Sequence, residues 1–194
     1  MDINQLIAQR LRELRDAQGL SLAQLAERSG VSRSNISLIE RGESSATATV
    51  LDKLSAALGV TVASLFEKSA ADAPSPMARV EDQPVWTDPG SGYVRRNLSP
   101  AMYSPIQLVE VSFPAGQRVA YETSTRDAEV HQQVWLIEGR MEVTVGATLW
   151  ALAPGDCLAM RLDQPIAWHN PTDQTSRYLV ALVTQVHKPP RREA

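Results

Sequence analysis

Four hydrogen-bonding side chains, Arg33, Ser34, Asn35 and Ser37, stand close together in one short segment. Arginine can donate two hydrogen bonds to guanine, asparagine can bond adenine, and serine can bond donors or acceptors. At helical spacing, Arg33, Ser34 and Ser37 fall on the face opposite Ile36. The pattern indicates a helix whose polar face can meet base edges in a DNA major groove.

Two short helices must position these side chains. Ser21 is a good N-cap, and Gln24 lies three residues later, which is the spacing of a capping box. This helix ends at Gly30, because glycine can adopt the left-handed conformation that closes a helix. Ser32 caps the next helix, which Gly42 ends. Two helices joined by a glycine-containing turn predict a helix-turn-helix.

The segment from Leu22 to Gly42 matches the pattern LxxLAxxxGVSxxxISxxExG. It resembles the phage-repressor-like, or XRE-type, helix-turn-helix family. The resemblance implies an ion pair between Arg15 and Glu40 that ties the first helix to the recognition helix; the alternative is two solvated charges, which contribute little to stability. A helical bundle that binds only protein is the alternative function. The predicted DNA-contacting residues are Gln24, Ser32, Arg33, Ser34, Asn35, Ser37 and Arg41.

Three further helices complete the predicted N-terminal domain, residues 1–67. The first spans about residues 4–18. Thr47 or Thr49 begins the fourth, which Gly59 closes, and Thr61 caps a last short helix. The sequence therefore predicts a five-helix, lambda-repressor-like domain.

Composition bounds the remaining possibilities. The chain has 194 residues, of which 43% are hydrophobic, so it can form two domains with real cores. Residues 1–68 carry eight Lys/Arg and eight Asp/Glu, so this part is neutral and is expected to bind DNA tightly only as a homodimer on a near-palindromic operator. One cysteine excludes an intramolecular disulfide framework. Without a membrane-spanning run or a signal-peptide pattern, the chain is expected to be cytoplasmic.

Residues 68–79, rich in Ala, Pro, Ser and Asp, are typical of a linker, and residues 188–194 are typical of a disordered tail. Between them, residues 80–187 show period-two patterns separated by turn signals, which predict an all-β domain. Its strands are expected in the stretches PIQLVEVSF, QQVWLIEGRMEVTV, TLWALAPGDCLAM and RYLVALVTQV.

The order of four motifs over residues 105–186 resembles a cupin, a jelly roll or double-stranded β-helix. The motifs are FPAGQRVAYETS, VWLIEGRMEVTVG, LAPGDCLAM and QPIAWHN. The resemblance implies a metal held by three histidines and an acid, but those places hold Glu122, Ser124, Gln132 and Ile166. Because Ile166 has no donor atom and only Glu122 is a good ligand, no metal, no cofactor and no enzymatic activity are predicted.

The remaining metal-binding side chains are predicted to lie elsewhere. His131 precedes Gln132 and should point to the opposite face of its strand. His169 lies three residues beyond the place of Ile166, and His187 is near the tail. A register error of one residue would swing His131 inward and restore a metal site. Cys157 is expected to be an inert core thiol, with a redox sensor as the alternative.

A binding pocket for a small effector is the remaining function for the β domain. In an extended segment, Arg95 and Arg96 must point to opposite faces, so one of them can enter the pocket. An arginine and Glu122 facing one cavity suit an amino acid, a dipeptide or an amine; the alternative is that the two only neutralise each other. The predicted ligand-binding residues are Arg95, Glu122, Ser124, Gln132, Val134, Met160, Ile166 and Trp168.

These expectations combine into a DNA-binding transcriptional regulator, a repressor rather than an activator, whose metal-free cupin senses a metabolite. One alternative is a metal-dependent cupin enzyme with a DNA-binding domain, which metal content and turnover would reveal. The other is an antitoxin-like regulator that binds protein, which would be distinguished by whether the purified chain alone shifts its promoter.

Overall fold

Four α-helices form at the start of the chain, where the sequence supplies caps and apolar stripes. The computed structural model describes residues 2–67, 75–102, 104–122 and 128–186. None of the helices in these ranges is long and apolar enough to cross a membrane. The helices are α1 (Ile3–Ala17), α2 (Leu22–Ser29), α3 (Arg33–Glu40) and α4 (Ala48–Ala57).

The predicted caps are present. The Ser21 hydroxyl accepts a hydrogen bond from the Gln24 amide, and the Gln24 side chain accepts one from the Ser21 amide at 2.8 Å, which completes the capping box. The Ser32 hydroxyl caps α3, and Thr47 rather than Thr49 caps α4. Gly30 has a φ of 68°, the left-handed conformation that ends α2.

The expectation of a fifth α-helix is wrong. Thr61 does act as an N-cap, but the segment that follows is a 3₁₀ helix, Val62–Phe66. Its five residues exceed one α-helical turn only slightly. Such short pieces commonly form the tighter i to i+3 bonds instead, as between the Ser64 amide and the Thr61 carbonyl at 3.1 Å.

The second part of the chain is all-β and consists of two antiparallel sheets. The larger has the strand order β1-β2-β3-β10-β5-β8 and the smaller has the order β4-β9-β6-β7. The longer strands match the predicted stretches, whereas β1, β2, β4 and β9 have only three or four residues, too few for a clear alternation. The strands are β1 (Val85–Thr87), β2 (Val94–Asn97), β3 (Ile106–Phe113), β4 (Arg118–Tyr121), β5 (Ala128–Glu138), β6 (Met141–Val145), β7 (Thr148–Leu152), β8 (Cys157–Arg161), β9 (Ile166–His169) and β10 (Ser176–Val186).

One hydrophobic core runs through both parts, which we call the helical half (residues 2–67) and the β half (residues 75–186). It extends without interruption from the helices to the sheets. The rings of Phe66 and Trp86 meet edge to face across the boundary, with centroids 5.8 Å apart. The Asn97 amide donates to the Ala63 carbonyl at 3.2 Å. The two halves therefore pack against each other through a shared apolar core.

A buried ion pair joins α1 to the carboxyl-terminal end of α3. Arg15 Nε and Nη2 donate to the two carboxylate oxygens of Glu40 at 2.7 and 2.9 Å, and Arg15 Nη1 donates to the Leu20 carbonyl at 2.8 Å. The hydrogen bonds that Arg15 donates to Glu40 raise the pKa of Arg15 above its ordinary value. Only 4% of the Glu40 side chain is exposed, so the pair expected from the family resemblance is present and lies inside the fold.

Another buried carboxylate, that of Asp88, links the β half to the helical half. Asp88 is 3% exposed, and its Oδ1 accepts a hydrogen bond from the backbone amide of Ala48 at 2.8 Å. Its Oδ2 accepts from the amide and the hydroxyl of Ser91. Because the amino end of α4 carries unpaired amides and a partial positive charge, a carboxylate from the β half stabilises it.

We expect Glu40→Ala to lower the free energy of unfolding of the full chain by about 3 kcal/mol, because Arg15 loses its buried partner and keeps only the exposed Asp16 as an anion. Glu43→Ala is the matched control, since it removes an exposed pair with Arg41 and should cost below about 1 kcal/mol. Denaturant unfolding measures both. Equal losses in the two variants would show that the Arg15 pair is no stronger than a surface pair.

Asp88→Ala should lower the free energy of unfolding by about 1–3 kcal/mol, because it leaves the Ala48 amide without an acceptor. Asp88→Asn keeps one acceptor oxygen and should lose less. Asp82→Ala, at an exposed position before β1, serves as the control. Thermal unfolding of the full chain tests this contact, and an Asp88→Ala variant as stable as Asp82→Ala would contradict it.

Candidate nucleic-acid interface and interior cavity

The amino-terminal turn of α3 presents polar side chains to solvent. Ser32, Arg33 and Ser34 are exposed, while Ile36 is fully buried and holds the helix against the core. Within the described ranges, the Arg33 guanidinium has no hydrogen-bond or ion-pair partner. The first turn of a recognition helix is the part that usually meets base edges. Arg33 is therefore free to bind a partner there.

Other predicted DNA contacts are partly engaged within the protein. The Gln24 carbonyl oxygen belongs to the capping box, which leaves its amide nitrogen to donate outward. The Ser34 hydroxyl is 3.2 Å from that of Ser32, which also accepts from the Asn35 amide. The Asn35 side chain is half-buried at the edge of the exposed face. Gln24, Ser32 and Ser34 are exposed, and their contacts with DNA stay a prediction.

Arg41 is held by a clamp that the sequence analysis missed. Its Nε and Nη2 donate to the two oxygens of Glu43, both at 2.8 Å, and its Nη1 donates to the Ser37 hydroxyl at 2.6 Å. The hydrogen bonds raise the pKa of Arg41 and lower that of Glu43. A DNA phosphate would have to replace Glu43. The sequence did contain an indication of this clamp, because the oppositely charged Glu43 lies two positions beyond Arg41.

A cavity of about 100 Å³ lies where the two halves meet. The helical half lines it with Asp52, Thr61 and Val62. The β half contributes aromatic and aliphatic side chains from both sheets, together with Arg95 and Gln132. A molecule in this cavity would therefore touch both halves.

Most of the predicted ligand-binding residues reach this cavity. Arg95, Glu122, Gln132, Ile166 and Trp168 line it. Two others do not. Val134 and Met160 point inward, but they are buried in the core outside the cavity lining, because neighbouring side chains fill the space around them. Ser124 falls outside the described residues.

Glu122 is not the deep acidic group that was expected. Its side chain is 83% exposed, and its carboxylate pairs with Lys53 of α4 at 3.2 Å. No arginine neutralises it within the described ranges. Arg95 is the arginine that faces the cavity, whereas Arg96 lies on the opposite face with its Nε 3.8 Å from Glu110. Successive side chains of a strand point to opposite faces, and β2 pairs with β3 in a single register, so only one of the two arginines can face the cavity.

Four aromatic residues of the cavity escaped the sequence analysis: Tyr93, Phe113, Tyr121 and Tyr178. The Tyr93 and Phe113 rings stack at 5.6 Å, and those of Trp168 and Tyr178 stack at 5.2 Å. Burial raises the pKa of Tyr93, Tyr121 and Tyr178, so their hydroxyls stay protonated. The alternation of Tyr178 with Val180 and Leu182 in the sequence indicated that Tyr178 points inward. Tyr93 directly precedes β2, and this four-residue strand is too short to show such an alternation.

The residues at the family's metal positions do not fit a metal. Gln132 is a neutral amide, Ile166 has no donor atom, and Glu122 is engaged by Lys53. In the described part of the chain, no three His, Cys, Asp or Glu side chains converge as metal ligands would.

The other side chains considered for metal or redox chemistry lie apart from the cavity lining. His131 is exposed beside Glu129 at 3.2 Å, and His169 contacts Glu142 at 2.9 Å. His187 lies outside the described residues. The expectation of a core position for Cys157 is wrong: the thiol is exposed, because β8 is an edge strand and Cys157 faces outward.

Comparisons with known proteins agree with this architecture. Residues 11–65 match the family model described as helix-turn-helix, HTH_3. The HTH-type transcriptional regulator SutR of Escherichia coli is 27% identical over 87% of this chain and 89% of its own length. Control protein C.SmaI of Serratia marcescens is 38% identical over 35% of this chain and 81% of its own length.

A solved structure shares the fold of both halves. The HTH_3 family transcriptional regulator from Vibrio cholerae superposes with a TM-score of 0.73 at 23% identity, over 93% of this chain and 96% of that protein. The helix-turn-helix geometry, the matched model and these relatives lead to one conclusion. The chain belongs to the XRE-type helix-turn-helix family of transcriptional regulators.

Proposed function

We propose that this protein is a cytoplasmic, DNA-binding repressor whose α3 reads an operator and whose β half, a cupin jelly roll, senses a small metabolite. The exposed, unpartnered Arg33 and the relatives named as transcriptional regulators support the DNA-binding role. The β half modulates operator affinity by binding a ligand.

One observation carries the sensing role: the cavity takes its lining from both halves. A ligand there contacts Thr61 and Val62, which follow α4 in the helical half. Ligand binding changes DNA affinity only if the ligand prefers one arrangement of the halves, and such couplings are typically about 1–3 kcal/mol. By reciprocity, operator DNA changes the ligand affinity by the same factor.

The proposed role of the cavity is binding without catalysis. None of its described lining residues is a serine, cysteine or histidine, so they provide no common pairing of nucleophile and base. The neutral Gln132 and the apolar Ile166 also favour a binding site over a metal centre.

The acting form is proposed to be a homodimer. Charges in the first 68 residues balance, so a single copy has little net attraction for DNA. Two-fold symmetry places two recognition helices on two half-sites. Trp135 and Trp150 are 49% and 47% exposed on the β half, and tryptophan is enriched at protein interfaces.

Arg33→Ala should weaken binding to the selected operator by about 1–3 kcal/mol and relax the preference at one base position, because a bidentate base contact is lost. Arg140→Ala, at an exposed turn of the β half, is the control and should bind like the wild type. Fluorescence anisotropy with single-base operator variants measures the effect. An equal loss on every sequence would instead make Arg33 a phosphate contact.

Selection of bound DNA from a random pool should return a near-palindrome whose half-site centres lie about 34–36 Å apart, the spacing of two recognition helices on one face of the duplex. Light scattering of the same full-length preparation should give the mass of a dimer. A monomer that selects one isolated half-site would contradict the homodimer, and failure to select any sequence would contradict the DNA-binding role.

A further inference from the structure

An unpaired positive charge lies inside the cavity. Arg95 sits on β2 between Trp86 of β1 and Val111 of β3, and its Nε has no solvent contact and no hydrogen-bond partner. None of the ion pairs within the described residues involves Arg95. Burial lowers the pKa of Arg95, yet arginine keeps its proton at neutral pH. Arg95 as a residue is partly buried, but its Nε is enclosed without an acceptor, and an enclosed polar atom without a partner is costly.

The exposed acidic side chain of the lining, Glu122, turns to solvent and pairs with Lys53 rather than with Arg95. The nearest partner described for the guanidinium is the ring of Phe66, with 5.6 Å between the guanidinium carbon and the ring centroid. A cation over a ring face gains far less than a paired guanidinium, which can donate two parallel hydrogen bonds to a carboxylate.

The rest of the cavity suits an apolar body. Val111, Val180 and Leu182 provide aliphatic wall, and the stacked pair of Trp168 and Tyr178 provides a flat one. The Tyr93 and Tyr121 hydroxyls hydrogen-bond each other at 3.3 Å, which leaves one of the two O–H groups to donate to an anion. An apolar cavity of about 150 Å³ holds benzene, so a space of about 100 Å³ suits a slightly smaller body.

We propose that the cavity binds a small carboxylate, with Arg95 pairing with the carboxylate and the aliphatic and aromatic wall holding a short apolar body. This assignment rests on the proposed sensing function and narrows its ligand class. A ligand with an ammonium group and no carboxylate would place a second cation beside Arg95, so we expect simple amines to bind more weakly than carboxylates. Amino acids remain candidates only through their carboxylate.

The proposed site also explains how ligand binding could reach the helical half. Arg95 contacts Phe66, which belongs to the 3₁₀ helix after α4 and packs on Trp86. A carboxylate that draws the guanidinium away from Phe66 changes a contact at the boundary of the two halves. The ligand therefore acts at the same interface that sets the position of α4.

Three probes that share one branched carbon skeleton test the charge requirement on the full-length chain: 3-methylbutanoate, 3-methylbutanamide and 3-methylbutylamine. Isothermal titration calorimetry should detect binding of the carboxylate, while the amide and the amine should bind at least about tenfold more weakly, since they cannot pair with a guanidinium. Acetate, with a smaller apolar part, and benzoate, with a larger one, test which size of carboxylate the cavity accepts. Binding of the amine in preference to the carboxylate, or binding of none of the carboxylates, overturns the proposal.

Substitutions of the two neighbouring arginines test whether the carboxylate binds at Arg95. Arg95→Gln should weaken carboxylate binding at least about tenfold, Arg95→Lys should weaken it less, and Arg96→Gln, on the opposite face, should leave it unchanged. Unchanged carboxylate affinity in a folded Arg95→Gln variant overturns the assignment; should this variant not fold, the comparison of the three probes on the wild type decides. Operator titrations separate the two ideas: carboxylate binding at Arg95 without a change in operator affinity refutes sensing but leaves the site intact.

Discussion

The contact on which the architecture depends is the packing of Phe66 against Trp86. It begins a continuous series of rings that crosses from the helical half to the far sheet. Trp86 meets Tyr93 at 5.7 Å, Tyr93 stacks on Phe113, and the series continues to Tyr178 and Trp168. Fully burying one such side chain stabilises a fold by about 1.5–3 kcal/mol. Separating the halves would expose Phe66 and Trp86, so their burial favours the packed arrangement.

Directional polar contacts around this apolar centre set the orientation of the halves. Asp88 caps α4 from the β half, Asn97 bonds the Ala63 carbonyl, and the Thr61 hydroxyl donates to Gln107 at 2.7 Å. Apolar packing alone tolerates sliding, but each of these hydrogen bonds has one preferred geometry. Thr61 also lines the cavity, so a ligand there would touch one of the residues that orient the two halves.

The helical half presents a DNA-reading surface without an excess of positive charge. Arg15 and Arg41 are occupied by Glu40 and Glu43, which leaves Arg33 exposed and unpartnered on the recognition helix. A surface of this kind gains little from general attraction to phosphates, so contacts to specific bases carry more of its DNA recognition. Exchange of Glu43 for a phosphate at Arg41 would add a charge contact only when the helix is docked.

The sequence by itself determined the features that depend on near neighbours. Ser21 and Ser32 cap helices because a cap needs only the residues two or three positions ahead, and the alternating pattern of the long strands β5 and β10 can be recognised in the sequence. Only the tertiary structure decided that Arg95 rather than Arg96 faces the cavity, that Glu122 pairs with Lys53, that Asp88 caps α4 and that Cys157 is exposed. Each of these depends on strand register or on packing between residues far apart in the chain, and no local pattern encodes the energy of such contacts.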